Sequence, residues 1–343
     1  MEVETEDRSR GNGHVEGPEI VRALPVLVIH AHSSCNCRCI MCDIWKTTEN
    51  RTFSLRDLRH QLDSIRRLGV RHVAFSGGEP LMNSELPLIA SHLRKEGIQL
   101  TLLSTGLLLG KYAVEVVENF DEVIVSLDGP QPVHNQIRRV KMAFSLLEAG
   151  VCALRRQRDE IRITARCTVQ KANHHCLWET ARAAKGLRLN GISFLAADLT
   201  STAFNRALVW PEKRQEEIAV SISELPVLEE QVETLARDAG SEFGAGFVVE
   251  SPEKLRRIAD HFRAHLGLLT PVSPLCNAPW VSAVVEADGT VRPCFFHRPI
   301  GNLREASLEA VVNGAEARSF RAQLDIRNDA VCRNCVCSLN YRG

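Results

Sequence analysis

Short apolar segments alternate with amphipathic ones from residue 26 to about residue 196, and this alternation constrains the fold more than any other feature. Strands are expected at Val26–Ile29, His72–Ser76, Gln99–Leu103, Glu122–Leu127, Arg162–Thr168 and Gly191–Leu195. Between them the pattern switches to helical spacing. Ser54 is placed to cap a helix on which Leu55, Leu58, Leu62 and Ile65 share one face, and Asp57 can close a capping box. Further helices are expected at Glu85–Lys95, Lys111–Asn119, Val140–Ala149 and Leu177–Leu187. Six strand–helix units in series predict a parallel sheet, with any active site at the C-terminal ends of its strands. At 343 residues the chain is long enough to bury a core without disulfides or metals.

Composition narrows the function. Forty-two basic residues balance 42 acidic ones, which argues against a nucleic-acid binder working through a basic field. No apolar run reaches the ~18–20 residues a membrane helix needs. Residues 1–22 read as a disordered tail without the apolar run of a secretory signal, so a cytoplasmic location is expected. Twelve cysteines in a long chain without an export signal point to metal rather than disulfides. Cys35, Cys39 and Cys42 form a C-x3-C-x2-C group with no fourth ligand close by, which suits an iron–sulfur cluster with one open iron better than zinc. Cys276, Cys294, Cys332, Cys335 and Cys337 lie near the C-terminus, where four thiolates suit either an iron–sulfur cluster or tetrahedral zinc. Cys37, Cys152, Cys167 and Cys176 have no ligand-like spacing and read as bystanders or structural thiols. His174-His175 reads as a solvated loop pair.

C-x3-C-x2-C after a first strand, followed about 35 residues later by Gly77-Gly78-Glu79-Pro80, resembles the radical S-adenosylmethionine (SAM) superfamily. The resemblance implies a partial (β/α)6 TIM-type barrel over residues 23–200. It also implies a [4Fe–4S] cluster on Cys35, Cys39 and Cys42, with SAM chelating the fourth iron. Met41, where relatives usually carry an aromatic residue, is expected near the adenine. Gly77, Gly78, Glu79 and Pro80 are expected at the SAM amino group, Ser126 and Asp128 at its ribose and carboxylate, and Arg166 at its carboxylate. Arg138 and Arg139 are expected to open a helix, one of them near that carboxylate. Asp198 ends the sixth strand and is a candidate catalytic or substrate contact.

Residues 201–269 read as a helical linker, with helices at Glu212–Ser221, Val227–Ala236 and Pro252–His265. Residues 270–343 contain Asp288-Gly289, a two-residue hairpin signal, between Val281–Ala287 and Val291–Pro293. The run C-x12-G-x4-C followed by C-x2-C resembles the SPASM or twitch extension of radical SAM enzymes, a small α+β unit of hairpin plus helix. That resemblance implies one auxiliary [4Fe–4S] cluster on Cys276, Cys294, Cys332 and Cys335, with Cys337 as alternative ligand. His297, three residues after Cys294, reads either as a site residue or as polar loop. The implied function is reductive SAM cleavage to a 5′-deoxyadenosyl radical, hydrogen abstraction from substrate, and a flavodoxin- or ferredoxin-type electron donor. About 25 residues precede the first strand, which favours a small biosynthetic substrate over a peptide. The competing readings are a peptide maturase and a non-enzymatic iron–sulfur redox sensor or electron carrier.

Overall fold

In the computed structural model, residues 20–342 are described. The expected tail therefore lies mostly outside the described residues, but its last residues do not: Val21 is buried and its backbone N–H and C=O both bond the Asn313 side chain. The barrel runs β1 (Val26–His32), α1 (Leu55–Arg67), β2 (His72–Gly77), α2 (Leu86–Lys95), β3 (Gln99–Ser104), α3 (Ala113–Asn119) and β4 (Glu122–Ser126). It continues with α4 (Gln131–Arg138), α5 (Ala143–Gln157), β5 (Arg162–Val169), α6 (Leu177–Gly186) and β6 (Gly191–Ala196). All six strands pair in parallel in the order of the chain.

One strand–helix connection differs from the expected pattern. The helix anticipated at Val140–Ala149 is α5, which starts at Ala143 and runs on to Gln157, and an additional helix, α4, precedes it. Pro130 and Pro132 set the start of α4, since proline is tolerated in a first helical turn. Arg139 ends it with φ 53°, so Arg138 and Arg139 close a helix rather than open one. The Ser54 capping box forms as expected.

Residues on one face of each strand pack outward against the helices: Leu27, Ile29, Val73, Phe75, Leu100, Leu102, Val123, Val125, Ile163 and Ala165 are all buried in one continuous core. Alternation then turns the opposite residues into the lumen. Toward the C-terminal ends those residues are polar: His30 and Ser76 are register partners, and Ser126, Arg166 and Ser193 are aligned across three neighbouring strands.

After β6 come α7 (Glu212–Ile218), α8 (Leu225–Phe243) and α9 (Pro252–His265), the last within the expected bounds and capped by Ser251. Then follow α10 (Ala278–Val281), β7 (Ser282–Val285), β8 (Thr290–Arg292), β9 (Gly301–Asn302), α11 (Leu308–Val312), α12 (Ala315–Gln323) and α13 (Ala330–Arg333). The hairpin β7–β8 does not form a sheet of its own. Strand β7 pairs in parallel with β1, so the extension continues the barrel sheet to nine strands. Among the described residues, no helix is long and apolar enough to cross a membrane.

Candidate functional site

The loop after β1 carries Cys35, Cys37, Cys39 and Cys42, and its backbone is tied down on several sides. Arg38 N–H donates to the Arg138 carbonyl (3.2 Å) and Ile40 N–H to the Ile137 carbonyl (3.1 Å), so the end of α4 is its platform. Gly78 and Glu79 N–H groups donate to the carbonyls of His32 and Ser34, both at 2.9 Å. Asp43 accepts from Trp210 Nε1 (2.7 Å) and pairs with Lys46 (2.8 Å).

Each of the three motif sulfurs faces an N–H donor. Cys35 Sγ receives Cys37 N–H at 3.4 Å, Cys42 Sγ receives Ile44 N–H at 3.5 Å, and Cys39 Sγ receives Arg138 Nη1 at 3.4 Å. Donors aimed at sulfur favour thiolate and the negative charge of an iron–sulfur cluster. None of the three is in a disulfide. The residues present therefore fit a cluster. Contact with the Cys37 thiol, reinforced by the Arg138 charge, brings the Cys39 thiol down to about 7, while burial pushes Cys42 up to about 12. Cys37, inside the motif, is buried in contact with Cys35 and Cys39.

The Gly-Gly-Glu-Pro turn packs directly on this loop. A Cβ on Gly78 would lie 2.0 Å from the Ser34 carbonyl oxygen, so only glycine allows the approach. The Glu79 side chain is engaged within the protein. Its fully buried carboxylate accepts from Leu81 N–H (3.1 Å), Thr105 N–H (2.7 Å), Ser104 Oγ (2.9 Å) and Thr105 Oγ1 (2.7 Å), locking the loop after β2 to the loop after β3. Burial raises its pKa against those hydrogen bonds. Pro80 starts a short 3-10 turn and is buried.

Two further expected ligand contacts are internal ion pairs. Asp128 is fully buried, 2.6 Å from Arg138 Nη2, and accepts from Thr168 N–H at 2.9 Å. Asp198 pairs with Arg206 at 2.5 Å, where both side chains are buried, and accepts from Ser201 Oγ. The physical reason is the same in each: a carboxylate withdrawn from water needs a cation, and here the cation comes from the same chain. Arg206 in turn stacks its guanidinium 3.6 Å from the centre of the Trp210 ring. Met41 is partly buried against the core.

Two cavities open on the lumen. The first, about 580 Å³, is lined by His30, His32, Gly77, Gly78, Phe204 and Phe295 among others. It thus joins the glycine turn to the residue that follows Cys294. Phe295 meets His30 and Phe204 edge-on at 5.4 and 4.8 Å, an aromatic wall the sequence reading missed. Phe204 and Asn205 hold φ of 60° and 62° in this wall, strain of a kind common where a loop shapes a site. Burial, with Arg292 nearby, brings His30 down to about 4, so its imidazole is neutral. The second cavity, about 460 Å³, is lined by Arg166, Ser193, Glu250, Lys254, Cys335 and Cys337 among others. Arg166 has Ser193 Oγ as a neighbour at 3.3 Å, and no acidic group among the described residues lies within ion-pair distance of it.

In the extension, Cys276, Cys294, Cys332 and Cys335 line one small hollow together with His297, whose Nε2 is 3.3 Å from Cys332 Sγ. Four cysteines on one hollow offer the thiolates that a cluster takes. Cys337 lies outside that hollow, on the wall of the second cavity. His174 is buried, with Nδ1 2.7 Å from the Lys171 carbonyl oxygen, rather than solvated.

Comparisons with known proteins agree with this geometry. Residues 31–184 match the family model of the radical SAM superfamily, and residues 276–336 match that of an iron–sulfur cluster-binding domain, SPASM. The Fe-coproporphyrin III synthase of Methanosarcina barkeri is 28% identical over 156 residues, 43% of this chain and 38% of that protein, so the match spans well under half of the relative's length. Streptococcus suis SuiB bound to the precursor peptide SuiA superposes with TM-score 0.65 at 14% identity, over 93% of this chain and 72% of that one. Native anSMEcpe with bound AdoMet superposes with TM-score 0.64 at 18% identity, over 89% and 84%. At such identities these likenesses speak to the fold. Family models, motif and cradles together lead to one conclusion: the chain belongs to the radical SAM superfamily and carries a SPASM-type iron–sulfur cluster-binding domain.

Proposed function

We propose that this protein is a radical SAM enzyme that takes a hydrogen atom from a small biosynthetic intermediate and oxidises or otherwise modifies it. When bound, the cluster and SAM supply reductive cleavage of the sulfonium to methionine and a 5′-deoxyadenosyl radical. The chain's own residues bind and orient. Cys35, Cys39 and Cys42 would hold the first cluster; Cys276, Cys294, Cys332 and Cys335 would hold the second. Gly77 and Gly78 present bare backbone to the first cavity, while Ser126 and Arg166 offer a hydroxyl and a guanidinium on the lumen for SAM's ribose and carboxylate.

The observation that carries the reading is the first cavity. It connects the glycine turn beside the cysteine loop to Phe295, next to Cys294, so a substrate there would lie between the two cluster sites. Its 580 Å³ falls within the ~300–1,000 Å³ usual for small-molecule sites. A redox sensor or electron carrier has no need of a polar, hollow lumen, which weighs against that alternative. The test is anaerobic incubation with SAM and dithionite, scoring 5′-deoxyadenosine with and without candidate small molecules. Substrate-dependent deoxyadenosine formation supports the reading. Stimulation by short peptides alone would replace the small-molecule reading with peptide maturation.

A further inference from the structure

Arg138 is buried, is not part of the cysteine motif, and yet reaches it. Its Nη1 lies 3.4 Å from Cys39 Sγ, its Nη2 lies 2.6 Å from Asp128, and its backbone carbonyl accepts from Arg38 inside the cysteine loop. Asp128 is in turn fixed by Thr168 N–H on β5, and its own N–H donates to His134 Nδ1 at 3.2 Å on α4. The guanidinium therefore cannot swing away from Cys39 without stranding a buried carboxylate.

Resting on the reading that Cys35, Cys39 and Cys42 hold a cluster, we propose that Arg138 is a positioning residue that sets this cluster's reduction potential, with Asp128 as its counterweight. Reduction adds one electron from an external donor and makes the cluster one unit more negative. A fixed cation with an N–H on a ligand sulfur stabilises the reduced form more than the oxidised one, and hydrogen bonds and net charge are the protein's levers on such potentials. Burial strengthens the effect, because little water is available to screen it. Asp128 opposes it from one residue further away. The two side chains therefore act with opposite signs, which a purely structural role would not produce.

The experiment is an EPR-monitored redox titration of the anaerobically reconstituted full chain, with dithionite as reductant, following the part of the reduced signal that SAM alters. Iron is counted in every sample. Arg138→Gln keeps an amide donor but removes the charge. It is expected to lower the reduced-to-oxidised ratio at fixed potential about tenfold, equivalent to about 59 mV for a one-electron couple. Asp128→Asn should raise the ratio, and Arg138→Lys should stay near wild type. The proposal is overturned if Arg138→Gln binds full iron at the wild-type potential, or if Arg138→Gln and Asp128→Asn shift it in the same direction. If Arg138→Gln takes up no iron, Asp128→Asn decides alone: a raised ratio supports the proposal and an unchanged one refutes it. Failure of the wild type to bind iron at the triad would instead remove the functional reading itself.

Discussion

Replacing Gly78 with alanine should separate the cysteine loop from the turn that supports it. The new Cβ would sit 2.0 Å from the Ser34 carbonyl oxygen, 2.4 Å from its carbon and 3.1 Å from Cys35 N. Reaching even a tight contact of 3.0 Å requires about 1 Å of backbone movement, since 3.0 − 2.0 = 1.0. No flexible side chain can yield, because all three atoms are backbone. Overpacking costs about 1–3 kcal/mol. The shift also strains the Glu79 N–H to Ser34 carbonyl bond of 2.9 Å, whose loss adds roughly 1 kcal/mol. The movement falls one residue from Cys35, so its effect should be on cluster binding more than on global folding. Anaerobic iron counting and a deoxyadenosine assay check it: iron at the first site should fall and SAM cleavage should drop at least tenfold. Gly97→Ala is the control, where φ is +76° and nothing lies within 4 Å of a Cβ. It should cost about 1–2 kcal/mol of backbone strain and leave iron and turnover intact. Gly78→Ala with full iron and wild-type SAM cleavage would refute the reasoning.

Other expectations follow from the buried polar groups. Glu79→Gln places an amide N–H among donors that a carboxylate now accepts, so stability should fall by about 2–3 kcal/mol, read as a lower midpoint in anaerobic urea unfolding; an unchanged midpoint contradicts it. Asp198→Asn leaves Arg206 buried without its counter-charge and should cost about 3–5 kcal/mol, whereas a purely ligand-binding Asp198 would leave unfolding untouched. His134 is buried and its pKa is lowered from 6.5 to about 3 by burial, with Arg138 adding to it. The unfolded chain thus binds the extra proton between these values. Stability from this group is complete above pH 6.5 and is lost as pH falls toward 3, about 2 kcal/mol by about pH 5. Urea unfolding at pH 7 and about pH 5 should show a slope that His134→Gln flattens.

The parts of the molecule written in short sequence windows were legible. The cysteine triad, the glycine turn, the capping box at Ser54 and the period-two strands all depend on neighbours within a few residues. Helix α4 was not, because its start is set by Pro130 and Pro132 and few of its eight residues are apolar. The internal partners of Glu79, Asp128 and Asp198 were not legible, for a different reason. A polar residue at a strand's end has the same local pattern whether it meets a ligand or a partner on a later loop. Arg138 and Arg206 lie ten and eight residues beyond their carboxylates, and nothing periodic links them. Strand β7 adding to β1 is a pairing of residues more than 250 apart, outside any window. The aromatic wall joins Phe204 to Phe295 across a similar gap in kind.

The most direct test of the account is to count iron and sulfide in the anaerobically reconstituted chain and to assay dithionite-driven SAM cleavage in the same sample. Two clusters predict about eight irons per chain, four at each cysteine group, with 5′-deoxyadenosine formed and with both lost at the first site in Cys39→Ala. Iron bound without any deoxyadenosine would contradict the central claim and leave a redox protein in place of an enzyme.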